Sequence, residues 1–596
     1  MFASSSYKNI DNGDYEVTEE DELAAIDYEL RQIECECQKL TDRKKVLIDR
    51  KQKLKDNALL KKSYSLAKKN WNTENFSWST SLKRSLIDVF KIDRLRPLQL
   101  QTMNAFLSNE DIILVMPTGG GKSLCYQLPA VISKGITIVV SPLVALMEDQ
   151  LYGLHRLKVN AMMLNSKAPK EDVKTIMMGL IDNKSDLRLV YVTPEYMAKS
   201  NRFMSKLQKA FEMKRLDRFA IDEVHCCSQW GHDFRPDYKF LGILKTMFPG
   251  IPILGLTATA PAKIIVDVQK MLDIQGCLVL RASFNRPNLF YEVRRKLSDK
   301  DKCTEMIVNL LKNRFSGKSG IIYTTTIKES EQLKADLRGH GLKVGCYHAM
   351  LEAEHRTKVY SKWITGEYQA VVATIAFGLG IDKPDVRFVI HHCISKSMEN
   401  FYQESGRAGR DGKKSTCILL YRLMDVFKLS TMVFQDKVGL QNLYKILAYC
   451  LDRTSCRRSL IATHFEETWT KSDCKEMCDH CLKSQQKKEL DIGPYCRHLY
   501  QIIANAAQGE QKLTPLKLID AWYNKGAAAL RVAGVPTPKF PREIGEAIVG
   551  HLLINGYLQE DFHFSAYSTL TYVKKGPKSG LALANDHKII VEMMDH

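Results

Sequence analysis

The chain has 596 residues, 45% hydrophobic and 26% charged, with a formal net charge of +19. That length predicts several domains, and the absence of any apolar run of roughly 18 residues argues against a membrane-spanning protein or a membrane partner. The basic excess predicts a polyanionic partner, nucleic acid first, and the 16 cysteines, with no signal-peptide pattern over residues 1–22, read as intracellular thiols plus a metal site.

Residues 1–62 form the first expected region. Ile26, Ile33, Leu40, Leu47 and Leu54 recur every seven residues, with Leu23, Leu30 and Cys37 at the second seam position and Lys44 and Lys51 there later. The pattern predicts a charged helix that either pairs as a short coiled coil or lays one face on its own protein. A polar linker is expected near 61–75.

From 63 to 282, β-rich runs at 111–115, 136–140, 189–192 and 219–221 alternate with helical patterns, which predicts a parallel sheet covered on both faces. The rhythm restarts after Asn285-Arg286-Pro287 and fills 283–420, with strands at 320–323, 370–373 and 388–390. Residues 421–482 read as helical and cysteine-rich, and 483–596 as a compact helical and β segment. In the latter, Thr514-Pro515 marks a helix start, and Lys525-Gly526-Ala527 with Arg531 can meet phosphates. Runs at 558–564 and 568–573 make a hairpin whose turn carries Ser565-Ala566-Tyr567.

Four motifs carry chemistry. Met116-Pro117-Thr118-Gly119-Gly120-Gly121-Lys122-Ser123 joins a strand to a helix. Its glycines let backbone N–H groups face phosphate oxygens at a helix N-terminus, Lys122 reaches the β/γ-phosphates and Ser123 ligates Mg²⁺. The usual pattern has glycine where Met116 stands. Asp222-Glu223-Val224-His225 ends a strand beside that loop, so Asp222 suits the Mg²⁺ shell and Glu223 the activation of water. In the second unit, Gln403-Glu404-Ser405-Gly406-Arg407-Ala408-Gly409-Arg410 places two arginines on one expected helix face, suited to charge developing on a phosphoryl group. Cys456, Cys474, Cys478 and Cys481 have the spacing of a tetrahedral structural zinc site, with Cys450 a competing ligand by spacing alone.

Together with Phe90, Leu95-Arg96-Pro97-Leu98-Gln99, Ser141-Pro142-Leu143, Tyr191-Val192-Thr193-Pro194-Glu195, Thr257-Ala258-Thr259-Ala260 and the run from Ala373 to Pro384, these motifs resemble the RecQ family of DNA helicases over about 78–575. The resemblance implies an α/β fold: two tandem RecA-like parallel-sheet domains, a helical zinc-binding segment and a winged-helix domain, behind an N-terminal coiled-coil-like helix. It implies an ATP-dependent 3′-5′ DNA helicase acting in repair, recombination and replication, with ATP and Mg²⁺ between the two units and a structural zinc. Single-stranded, forked and junction DNA are the implied partners, a homo-oligomer through the N-terminal helix is open, and the nucleus is the implied compartment.

The same resemblance explains Met116, because the family's loop begins Met-Pro-Thr. It assigns Thr118, Gly119, Gly120, Gly121, Lys122 and Ser123 to the phosphates, Arg96 and Gln99 to the base, and Gln403, Arg407 and Arg410 to the second wall. Ile92 stands where relatives often have an aromatic. Trp230, Phe234 and Arg235 match an aromatic-rich loop that contacts single strands, although these aromatics can also pack on their own core. Thr257 and Thr259 would couple hydrolysis to movement. The family places the first zinc cysteine before two basic residues, as in Cys456-Arg457-Arg458. Tyr567 matches a hairpin residue that stacks on the duplex end; covering the hairpin's own apolar face is the alternative. The ending at His596 leaves too little sequence for the helicase-and-RNaseD-like C-terminal domain, which makes the short animal type the nearest match. An RNA remodeller and a non-enzymatic DNA-binding scaffold are the rival readings, and strand annealing is an open second activity.

Overall fold

The computed structural model describes residues 19–228, 234–378, 383–482, 487–564, 569–584 and 586–594. Strands β1 (Ile112–Val115), β2 (Ile136–Val140), β3 (Ala161–Leu164), β4 (Leu189–Val192), β5 (Leu216–Ile221), β6 (Ile253–Thr257) and β7 (Leu278–Arg281) form one parallel sheet. Its order is β3-β4-β2-β5-β6-β1-β7. The strands are short and almost wholly buried because helices cover both faces. Register sets Val115 beside Thr257 and Ile221 beside Gly255. The segments following β1, β5 and β6 therefore emerge at one edge of the sheet, where an open parallel sheet binds ligands.

The second unit repeats this plan. β8 (Leu289–Arg295), β9 (Ser319–Tyr323), β10 (Val344–Tyr347), β11 (Ala370–Ala373), β12 (Val386–His391) and β13 (Ser415–Tyr421) are parallel in the order β10-β11-β9-β12-β13-β8. After β12 comes the helix Met398–Ser405, whose N-terminus is capped by the Ser397 hydroxyl accepting from Asn400 N at 3.1 Å.

The helix Glu19–Ala67 runs unbroken through the expected start of the linker. Asp56, Leu60 and Ser63 near its end are buried, whereas the heptad residues from Leu23 to Leu54 are about half exposed or more. The remainder of the expected linker is ordered by side chains. Trp71, Phe76 and Trp78 stack successively, and Asn104 donates to the carbonyls of Trp71 and Thr73, both at 2.9 Å. Three aromatics in a polar stretch had enough apolar area to dock.

Toward the C-terminus, β14 (Lys487–Asp491) pairs antiparallel with β17 (Ile590–Met594). Between them lie the helices Gly493–Gln508, Pro515–Trp522 and Arg542–Ile554 and a hairpin of β15 (Leu558–Phe564) with β16 (Thr569–Lys575). The buried Glu560 of β15 accepts from Ser430 Oγ, from Tyr444 Oη at 2.7 Å and from Thr571 Oγ1 at 2.9 Å. That contact ties the hairpin base to the helices Leu423–Val433 and Gly439–Leu451. Among the described residues no helix is long and apolar enough to cross a membrane.

Candidate nucleotide site and zinc centre

The phosphate loop is shaped by backbone constraints. Gly119 and Gly121 have φ of +82° and +87°, a region that favours glycine. A Cβ on Gly120 would lie 2.4 Å from Met116 Cγ, and one on Gly121 would lie 2.4 Å from Gln99 Nε2. The methionine that replaces the usual glycine is buried beneath the loop, and Gly120 gives it room. Gly120 accordingly lines a smaller cavity of about 270 Å³ behind the loop, whereas Thr118, Gly119, Gly121, Lys122 and Ser123 line the main one.

That main cavity, about 620 Å³, lies between the two units. The first unit contributes the loop together with Arg96, Gln99, Asp222 and Glu223; the second contributes Gly378, Gln403, Arg407 and Arg410. Phe90 and Ile92 also line it, so the apolar side of a base would meet Ile92. Gln99 Oε1 accepts from Arg96 N at 2.7 Å, and Gln99 Nε2 donates to Gly121 O at 2.9 Å. Arg96 bonds the Gly119 carbonyl. Both base-side residues are thus wired to the phosphate loop.

Lys122 Nζ donates to Met116 O at 2.9 Å. Burial pushes its pKa down, opposed by the Glu223 and Asp222 carboxylates. Burial pushes Asp222 up, opposed by Lys122. Each group makes the other's charge tolerable in the partly buried crevice. Ser123 and Asp222 offer oxygen ligands of the kind Mg²⁺ takes. Glu223 sits at φ +48°, a strained conformation for a non-glycine residue. Beside it, His225 Nδ1 lies 3.3 Å from Glu223 Oε2 and 2.9 Å from Thr257 Oγ1, and that hydroxyl donates to Thr259 O at 3.0 Å. His225 had been only the last letter of a motif; its bridging place depends on β5 and β6 being neighbours.

In the second unit the helix ends at Ser405, so Arg407 and Arg410 stand in the turn that follows it and not on a helix face. Gly409, at φ +57°, breaks the helical path. The Arg410 side chain passes 3.2 Å from where a Gly119 Cβ would be, and the Arg407 guanidinium occupies the space a Gly378 Cβ would enter. Thr118 Oγ1 and Arg407 Nε are buried without a hydrogen-bond partner in the protein. An anionic phosphate chain in the crevice supplies what both lack.

The sulfurs of Cys456, Cys474, Cys478 and Cys481 lie within 4.8 Å of one another, with Cys456 and Cys478 3.9 Å apart. Tetrahedral Zn–S bonds of about 2.3 Å place sulfurs about 3.8 Å apart, so the four fit zinc. Cys450 is not in the group, which removes the competing ligand. The segment also grips its neighbours: Tyr291 N donates to Met477 O at 3.2 Å, and Asp479 Oδ2 accepts from Val293 N at 3.0 Å. Phe465 stacks on Phe284 of the inter-unit connection at 4.3 Å, and Glu467 accepts from Phe284 N at 2.9 Å. A second cluster, Glu331, Cys346 and His348, is already neutralised by Lys334 bonded to Glu331.

Of the residues expected at a single strand, Trp230 lies outside the described residues, as does Tyr567 at the hairpin turn. Phe234 is half-buried beneath Lys239. Arg235 donates to Pro142 O at 3.2 Å, which ties the loop to Ser141-Pro142-Leu143.

Two parallel-sheet units facing each other across one crevice, with loop lysine, acidic pair and opposing arginines, define a helicase-type motor. A DEAD/DEAH box helicase model matches residues 96–268, a helicase conserved C-terminal domain 302–412, and a RecQ zinc-binding model 423–482. ATP-dependent DNA helicase Q1 of Rattus norvegicus is 54% identical over 512 residues, covering 86% of this chain and 82% of that protein. A putative ATP-dependent DNA helicase Q1 of Caenorhabditis elegans is 46% identical, covering 83% and 78%. ATP-dependent DNA helicase Q-like 2 of Arabidopsis thaliana is 45% identical, covering 85% and 70%. The chain belongs to the RecQ family of helicases.

Proposed function

We infer that the protein is an ATP-dependent DNA helicase that uses Mg²⁺ and carries a structural zinc. The observation that carries this is the single crevice lined by Lys122, Asp222 and Glu223 from one unit and by Gln403, Arg407 and Arg410 from the other. Loop N–H groups and Lys122 hold the β/γ-phosphates. Mg²⁺, when bound at Ser123 and Asp222, neutralises phosphate charge. Glu223 orients the attacking water and takes its proton, and Arg407 and Arg410 stabilise the charge that spreads over the γ-phosphoryl oxygens. Closing the crevice draws the units together and hydrolysis releases them, which ratchets a bound strand.

DNA as the strand is supported by the relatives, which are DNA helicases, and by the zinc segment, which an RNA remodeller would not need. The test is unwinding of forked DNA, Holliday junctions and RNA duplexes by wild type and Lys122→Ala. Wild type should open DNA and leave RNA paired, and unwinding by the lysine variant would overturn the mechanism.

Finer features of this reading follow the family. Movement runs 3′ to 5′, the three helices and hairpin after Gly493 act as a winged helix, Tyr567 holds open the duplex end, and the work belongs in the nucleus, in repair and recombination. Tyr567→Ala should lose unwinding of forked duplex while keeping ATP hydrolysis, and Trp230→Ala should lose the DNA stimulation of hydrolysis; wild-type values would refute either role. Self-association through the N-terminal helix is supported by its charge. Residues 19–38 carry eight carboxylates and one arginine, and 39–55 carry eight basic residues and two aspartates. Two copies therefore attract each other antiparallel and repel parallel. Sedimentation of the chain with and without residues 1–55 checks it, and a monomer in both cases would refute it.

A further inference from the structure

Arg286 lies in the short connection between the two units, just before β8. The structure gives it three bonds to the turn of its own unit and one across to the first unit. Its Nη1 donates to Gly406 O at 3.0 Å, and its Nη2 donates to Ala408 O at 2.8 Å and Gly409 O at 3.1 Å. Those carbonyls belong to the turn that carries Arg407 and Arg410. That turn follows the helix end at Ser405, so no continuing helix takes up its carbonyls, although Gly409 O also accepts from Gly412 N at 3.0 Å. One planar guanidinium gathers three of them.

The same Nη1 reaches across to Thr118 O in the phosphate loop at 3.4 Å. In a trans peptide the carbonyl and the following N–H point in opposite directions. Holding the Thr118 carbonyl toward Arg286 therefore directs the Gly119 N–H away from it, and Gly119 lines the nucleotide crevice. The neighbours of Arg286 are pinned as well. Asn288 Nδ2 donates to Gly409 O at 2.8 Å, Tyr402 Oη donates to Phe284 O at 2.8 Å, and Arg458 of the zinc segment bonds Asn285.

We propose that Arg286 is the positioning residue that registers the arginine-bearing turn of the second unit against the phosphate loop of the first, and so sets the rate of ATP hydrolysis. The proposal rests on the helicase reading above. Arg286 acts through the turn and the loop and does not itself line the nucleotide crevice. Lysine cannot replace it, because a compact ammonium lacks the planar fork that spans four carbonyls.

The experiment measures DNA-stimulated ATP hydrolysis by the full zinc-loaded chain carrying Arg286→Gln, Arg286→Lys, Arg410→Lys, or Arg286→Lys with Arg410→Lys. Arg286→Gln should lower kcat at least ~10-fold, the scale of a misplaced catalytic group, with KM for ATP within about threefold of wild type. Affinity for single-stranded DNA and zinc content should be unchanged. The double variant should be no slower than Arg410→Lys alone, because both changes disable one unit. A kcat within twofold of wild type in both Arg286 variants, or losses that multiply in the double variant, would overturn the proposal. So would insolubility of both variants, which would make the residue merely structural. A wild-type chain whose hydrolysis ignores DNA would instead bring down the helicase reading.

Discussion

Gln99 and Gly121 are joined by a 2.9 Å hydrogen bond from the side-chain amide to the loop carbonyl, so the base side of the crevice and its phosphate side move as one. The amide retains one N–H and one oxygen lone pair for the edge of an adenine. Gln99→Glu removes both donors, breaking the loop contact and the base contact together. KM for ATP should rise at least ~10-fold, in line with about 1–3 kcal/mol for an unmade bond, with affinity for single-stranded DNA unchanged. Steady-state hydrolysis against ATP concentration checks this, and an unaltered KM would refute the link.

His225 joins Glu223, the proposed activator of water, to Thr257 at the end of β6. His225→Ala should leave nucleotide affinity intact and reduce base pairs opened per ATP consumed by severalfold, because Glu223 then fires without engaging Thr257. Parallel assays of hydrolysis and unwinding give the ratio, and an unchanged ratio would remove His225 from the coupling path.

Zinc should be inseparable from folding of the 456–481 segment, since a structural site binds only its folded form, with apparent free energies of about 10–16 kcal/mol in small modules. Cys478→Ser should give poorly soluble protein holding less than one zinc per chain. Stoichiometric zinc in that variant, by metal analysis, would contradict the ligand set.

Glu560 makes the hairpin's attachment sensitive to pH. Burial raises its pKa above the ordinary 4.5, against the pull of the Ser430, Tyr444 and Thr571 hydroxyls. The folded state then holds a proton that the unfolded chain releases. This stabilising share is complete below 4.5 and is lost as pH rises through the raised value. Glu560→Gln stays neutral and still accepts hydroxyl bonds. Its Tm relative to wild type should be higher at pH 8 than at pH 5, and an equal difference at both pH values would show that the carboxyl is charged throughout.

Residues whose chemistry is local were legible before folding. The buried strands announced themselves as β-branched runs, and Lys122, Asp222 and the four zinc cysteines by spacing. What escaped were relationships made by the chain's return upon itself. Arg286 works on backbone carbonyls about 120 residues away, and carbonyls leave no mark in a sequence. β14 was hidden because Lys487-Lys488-Glu489 reads as a solvated stretch until Ile590–Met594 pairs with it. The helix expected to carry both arginines stops at Ser405, and Gly409 at φ +57° turns the chain away, which presents the turn's carbonyls to Arg286.

Met116 and Gly120 interlock: the thioether side chain fills the space that a side chain at 120 would need. Restoring the more widespread glycine at 116 would not return the loop to a common ancestral form but would leave a hole beneath it. A side chain at 120 would press on the methionine and also meet the Pro117 carbonyl oxygen, 2.9 Å from where its Cβ would stand. Glycine at 120 is therefore required by the loop's own backbone as well as by the methionine.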